Sequence, residues 1–142
     1  MRTVATNRVR LAILLCTIAA AGTAFAISSD FKYTGTIPLY DPIGGPASVE
    51  VFELTLQPGD VFPWHFHPGP AFVVVQQGTI TEQHACKRPR SWSAGTAFQE
   101  LPNEIHQVMN NGTSPVKLYV TLIYPKFADA DTVFLNNTPT CN

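Results

Sequence analysis

Between residues 48 and 125 the apolar positions follow a two-residue period or fall in short continuous runs, each cut off by Gly, Pro or Asn. Ser48 to Leu56 (SVEVFELTL) alternates and stops at Gln57-Pro58-Gly59-Asp60, which has turn chemistry. Val61 to His67 is the next strand expected. Ala71 to Gln76 (AFVVVQ) is a short run of the buried type closed by Gly78, and Thr79 to Gln83 continues as a strand. A polar, basic loop (CKRPRSWSAG) leads to Gly95–Leu101 and then to His106–Met109, which ends at the turn Asn110-Asn111-Gly112. Val116 to Tyr124 (VKLYVTLIY) is the longest strand, and Pro125 stops it. No stretch holds a 3.6-residue apolar period over three turns. Many short strands with no helix between them predict one all-β domain, an antiparallel sandwich or barrel. The segment 30–46, rich in Gly and Pro, is expected to wrap that barrel as irregular structure or as an edge strand.

Ahead of this pattern lies a different kind of segment. Arg2, Arg8 and Arg10 precede an unbroken apolar or small run from Leu11 to Ala21, and Ala24-Phe25-Ala26 follows. That is the order of a secretory signal peptide with cleavage after Ala26. A membrane anchor is the alternative, but the run falls well short of the ~20 residues a spanning helix needs. Cys16 follows Leu14 and Leu15, which does not suit lipid attachment. The chain therefore divides into a signal at 1–26, an N-terminal wrap at 27–47, a barrel at 48–125 and a C-terminal tail at 126–142. Export to the periplasm or the exterior follows, with no membrane anchor after cleavage.

Removing the signal changes the composition. The whole chain has 9 Lys+Arg, 10 Asp+Glu and three Cys. The remaining 116 residues carry 6 basic and 10 acidic side chains, a net charge of −4, which offers no footprint for nucleic acid. Cys86 and Cys141 remain, and in an oxidising compartment they are expected to pair and pin the tail to the barrel. Two free thiols are the alternative.

The candidate chemistry lies in PWHFHPGP. On a strand His65 and His67 share a face, roughly 6.5–7 Å apart, so both imidazoles can reach one metal ion. Strand parity puts Val61 and Pro63 on that face and turns Phe62, Trp64 and Phe66 away. Two histidines in this pattern are weak grounds taken alone, since exposed pairs are common.

The wider spacing adds to them. Gly59, His65, His67, Ala71 and Gly78 stand at the intervals of G-x5-H-x-H-x3-E-x6-G, and Gly95, His106 and Asn110 at those of G-x5-P-x-G-x2-H-x3-N. These two stretches, in this order, resemble the two motifs of the cupin family. The resemblance spans nearly all of residues 48–125 and implies a small antiparallel jelly-roll β-barrel with a metal site at His65, His67 and His106. Three departures stand out. Ala71 occupies the position of the usual metal-binding Glu, so a fourth protein ligand is missing. Leu101 replaces the Pro of the second motif, with Pro102 one place on. Asn103 replaces its second Gly and keeps the turn feasible, because Asn tolerates positive φ.

Three neutral imidazoles leave a divalent ion its full charge and up to three open positions. That favours a small chelating anion such as an enolate, catecholate or thiolate. Imidazole suits Fe, Mn, Zn, Ni and Cu alike. Within the cupins, three-His sites occur in thiol and β-diketone dioxygenases, so the resemblance implies an iron(II)-type oxygenase. A non-redox metal enzyme (isomerase, lyase or cyclase) and a non-catalytic binding protein are the alternatives. The family also implies a homodimer. Glu104 shares strand parity with His106 and is a candidate to orient a ligand, with an exposed loop carboxylate as the alternative. Glu100 is expected to be structural or solvated and His84 to lie on the surface. Trp64, Phe66, Phe72 and Phe98 are expected in the core.

Overall fold

A computed structural model describes residues 27–141, and the signal expected at 1–26 lies outside them. Ten strands are present among these residues: β1 (Ser28–Tyr40), β2 (Gly45–Leu56), β3 (Val61–Phe66), β4 (Ala71–Gln77), β5 (Thr79–His84), β6 (Arg90–Ser93), β7 (Ala97–Glu100), β8 (His106–Met109), β9 (Val116–Pro125) and β10 (Val133–Phe134). They form two five-stranded sheets, β1-β2-β9-β4-β7 and β10-β3-β8-β5-β6, with every pairing antiparallel. The apolar runs predict this all-β antiparallel architecture, and it is consistent with the jelly-roll barrel that the cupin resemblance implies. The inward positions of both sheets, among them Leu56, Val75, Ile80, Val108, Leu118 and Leu122, form one buried cluster. Burying each such side chain contributes ~1.5–3 kcal/mol.

Several expectations change. Of the two forms considered for the N-terminal segment, irregular wrap is overturned. Residues 28–40 form a 13-residue edge strand on β2, with register shifts at 29–32 and 37–40. The second of these shifts spans Pro38, which has no N–H to give the ladder, while Gly35 stays in register opposite Val49. The basic loop after Cys86 contains β6, which pairs with β5 from Thr79↔Ser93 to Glu82↔Arg90. Phe72 is 42 % exposed and not in the core, because it alternates with buried Ala71 and Val73 on the outer side of β4.

The parity expected of β3 also fails. Phe62 pairs with Val108 and His65 with His106, so β3 spends three residues where β8 spends two. The extra residue is a bulge over Pro63 and Trp64, placed where proline has no N–H to give the ladder. It returns Phe62 to the side of His65, and their rings meet edge to face at 4.7 Å.

The Pro68-Gly69-Pro70 corner then crosses the end of β9. A Cβ on Gly69 would stand 1.9 Å from the Ile123 carbonyl oxygen, so only glycine fits there. At the far end, Cys86 and Cys141 are joined by a disulfide that ties the tail to the barrel, as expected from the even cysteine pair.

Candidate metal centre

Neighbouring strands bring the histidines together. The register His65↔His106 on β3 and β8, continued by His84↔His106 on β5 and β8, sets three imidazoles in a row across one sheet. His67 follows β3 by one residue. Asn103 begins the approach of His106 with φ 61°, the left-handed conformation its motif position calls for, and its N–H donates to the His67 carbonyl at 2.8 Å. Asn110, fully buried, closes the other end of β8. Its Nδ2 donates to the carbonyls of Leu56 and Ser114, and its Oδ1 accepts from Gly112 N.

His65, His67 and His106 are buried, and one nitrogen from each lies within 4.8 Å of the others. Each Nδ1 donates to a backbone carbonyl: His65 to Pro63 at 2.7 Å, His67 to Asp131 at 2.9 Å and His106 to Glu104 at 2.8 Å. A carbonyl oxygen only accepts, so the Nδ1 atoms hold the ring protons and the Nε2 atoms carry lone pairs. Metal-binding histidines are oriented by this kind of bond. Burial, followed by the neighbouring His106, lowers the pKa of His65 to about 3 and keeps that ring neutral.

A carboxylate lies beside the three rings. Glu100 is 5 % exposed, and its two oxygens stand 3.3 Å from His67 Nε2 and 3.3 Å from His106 Nε2. His106 Nε2 nevertheless has no partner in hydrogen-bonding geometry. Burial pushes the Glu100 carboxyl up, but the facing His106 and His67 outweigh it and hold the group well below the usual carboxylate range. Burial likewise lowers His106, and Glu100 more than reverses that, so the His106 pKa is raised. Of the two forms expected for Glu100, structural or solvated, its burial excludes the solvated one. Three imidazoles come together in a buried space and the Glu100 carboxylate faces two of them, an arrangement that a cation satisfies and a neutral interior does not. The residues therefore fit a divalent ion.

Two other residues behave differently from expectation. Glu104 does orient His106, but through its backbone carbonyl. Its carboxylate instead pairs with Lys87 and lies 3.2 Å from His84 Nδ1. His84 is buried, not on the surface, and its Nε2 donates to Glu82 Oε1 at 2.7 Å. Glu82, 2 % exposed, accepts from Trp92 Nε1 through its other oxygen at 2.8 Å. The alternation of Ile80, Glu82 and His84 on one strand is the signal in the chain for their inward direction.

Space beside the centre is limited and apolar. A cavity of about 40 Å³ touches His65 and Glu100 and is walled by Phe52, Leu54, Phe62 and Val73. The first three of these walls also line an open cleft of about 300 Å³ bounded by Ile27, Lys32 and Phe134.

The pH behaviour of the metal-free protein follows from these shifts. His65 binds a proton in the unfolded chain below pH 6.5 but in the folded protein only near pH 3, so its contribution to stability is lost as pH falls through that interval. The raised His106 contributes fully below 6.5, and the depressed Glu100 fully above 4.5. Between those values His65 sets the slope. Metal-free protein is expected to be about 2 kcal/mol less stable at pH 4.5 than at pH 6.5. Equal denaturant midpoints at the two pH values would contradict this.

The family described as "Cupin domain" matches residues 52–122. No curated protein matches the sequence. Among solved structures, an oxalate oxidase is similar with a TM-score of 0.53 and 19% identity, over 66% of this chain and 52% of that one. A cupin-like protein of Thermotoga maritima is similar with a TM-score of 0.52 and 19% identity, over 73% and 75%. The oxalate decarboxylase of Bacillus subtilis, as an S161A mutant, gives 0.54 and 20%, over 62% and 24%. The chain thus spans about half of the oxidase and a quarter of the decarboxylase. At these identities the likeness concerns the fold.

Proposed function

The chain belongs to the cupin family, and from that premise we propose that it is an exported, metal-dependent enzyme of the oxygenase type acting on a small chelating organic molecule. The observation that carries this is that one ring nitrogen from each of His65, His67 and His106 lies within 4.8 Å of the others, each ring being fixed through its own Nδ1. A divalent ion held there supplies Lewis acidity and, where the metal is redox-active, electrons for O₂. The chain's own residues do the rest. The carbonyls of Pro63, Asp131 and Glu104 hold the rings at fixed angles, and Phe52, Leu54 and Phe62 wall the His65 side with apolar surface.

That apolar wall supports a substrate with a hydrocarbon body and a chelating, anionic head. The Cys86–Cys141 disulfide supports an oxidising compartment, in keeping with the signal-like segment 1–26. Exposed Phe72 and Val74 on the outer face of β4 support a homodimer.

The small size of the inner cavity favours a second reading, a protein that binds a metal or small ligand without turnover. Oxygen uptake separates the two. The iron(II)-loaded mature protein is expected to consume O₂ with at least one of a β-diketone, a catechol, a thiol or oxalate, and the apolar wall favours the first three. No uptake with any of them, together with tight binding of zinc, would overturn the oxygenase reading.

A further inference from the structure

We infer that Glu100 is the fourth metal-binding residue of this centre, delivered from β7 to do the work of the carboxylate that position 71 lacks. The inference rests on the metal reading proposed above. Its geometric basis is one pairing: Ala71 on β4 lies directly opposite Glu100 on β7. Directly paired residues project to the same face with Cβ atoms ~4.5–5.5 Å apart, so a carboxylate moved from position 71 to position 100 stays on the inner face, one strand over. The methyl group of Ala71, itself fully buried, leaves the volume that the longer Glu100 side chain needs.

The surroundings of Glu100 point the same way. Among the described residues its oxygens have no Arg or Lys partner, and they face His67 Nε2 and His106 Nε2, each at 3.3 Å. With each Nδ1 proton given to a carbonyl, those nitrogens in the neutral rings and the carboxylate are all acceptors. Acceptors brought together inside a protein repel unless a proton or a metal ion lies among them, and a buried carboxylate is kept charged only by such a partner. Two donors that each bind one ion at ~2.0–2.2 Å stand roughly 3–3.5 Å apart, and each Glu100 oxygen keeps such a separation from one of the two imidazoles, Oε2 from His67 and Oε1 from His106. Coordination by Glu100 lowers the net charge of a divalent centre by one unit. It leaves an octahedral ion about two open positions, enough for a bidentate anion or for one substrate atom beside O₂.

The test measures metal binding and not turnover. Calorimetric titration of the metal-free mature protein with Mn(II), and the visible absorption of the Co(II) form, are compared between wild type, Glu100→Gln and Glu100→Ala. Wild type is expected to bind one ion. Both variants are expected to bind at least about 100-fold more weakly, beyond the ~10–100-fold typical of residues that only support a ligand, and the Co(II) band is expected to change. Glu100→Gln keeps the shape of the side chain, and its thermal melt without metal shows whether it folds. The double variant Ala71→Glu/Glu100→Ala, with the carboxylate back at the motif position, is expected to regain one ion per chain. Wild-type affinity and an unaltered Co(II) spectrum in Glu100→Gln would overturn the inference. Failure of wild type to bind any ion would instead overturn the metal reading itself, and this inference with it.

Discussion

Mature protein carrying His106→Ala is expected to purify with less than about a tenth of an ion per chain, roughly the occupancy expected of His65→Ala as well. His106 is fully buried at the middle of the imidazole row, between His65 on β3 and His84 on β5. Its Nε2, fully buried, has no hydrogen-bond partner among the described residues, so an ion there satisfies an otherwise unpaired atom. Loss of a supporting residue behind a ligand typically costs ~10–100-fold in affinity, and loss of the ligand itself should exceed that. Elemental analysis of wild type and both variants decides the matter. Full occupancy in both variants would remove the metal centre from this protein and, with it, every chemistry proposed for the site.

The second large effect concerns the tail. Replacing Cys86 and Cys141 by serine is expected to lower unfolding stability by ~4 kcal/mol, the loop-closure contribution for a bridge of this span. The two cysteines are 55 residues apart in sequence, and small domains are stable by only ~5–15 kcal/mol in total. The consequence reaches the site. The same tail supplies the Asp131 carbonyl and Thr132 Oγ1 that contact His67 Nδ1, and β10 pairs Phe134 with His65. Release of the tail is therefore expected to weaken metal binding by about tenfold as well. Denaturant titrations of the double variant, and of wild type with and without reductant, measure the first effect. An unchanged midpoint would show that β10 pairing holds the tail unaided.

Much of this site is legible in the amino-acid sequence alone. The period-2 runs place the barrel strands, and motif spacing selects His65, His67 and His106 from four histidines. Asn103 is marked as the residue that must turn with positive φ, which it does at 61°. Phe62 shows where such reading stops. Alternation assigns it to the face away from His65, yet the bulge over Pro63 and Trp64 brings it back. A single inserted residue inverts every assignment on one side of it. Parity singles out Glu104 for the right ring, but the contact is made by its backbone carbonyl, an atom every residue has.

Glu100, Glu82 and His84 mark a different boundary. Each alternates correctly within its own strand, but a buried carboxylate looks like a solvated one until its neighbours are known. What the sequence by itself determined is local: which segments are strands, which residues turn, which histidines carry the right intervals and which cysteines remain to pair. Only the tertiary structure decided what faces what. The Ala71↔Glu100 pairing and the tail laid over His67 join residues far apart in the chain. Such contacts depend on strand order, register and closure of the barrel, which the alternation of side chains along one strand does not encode.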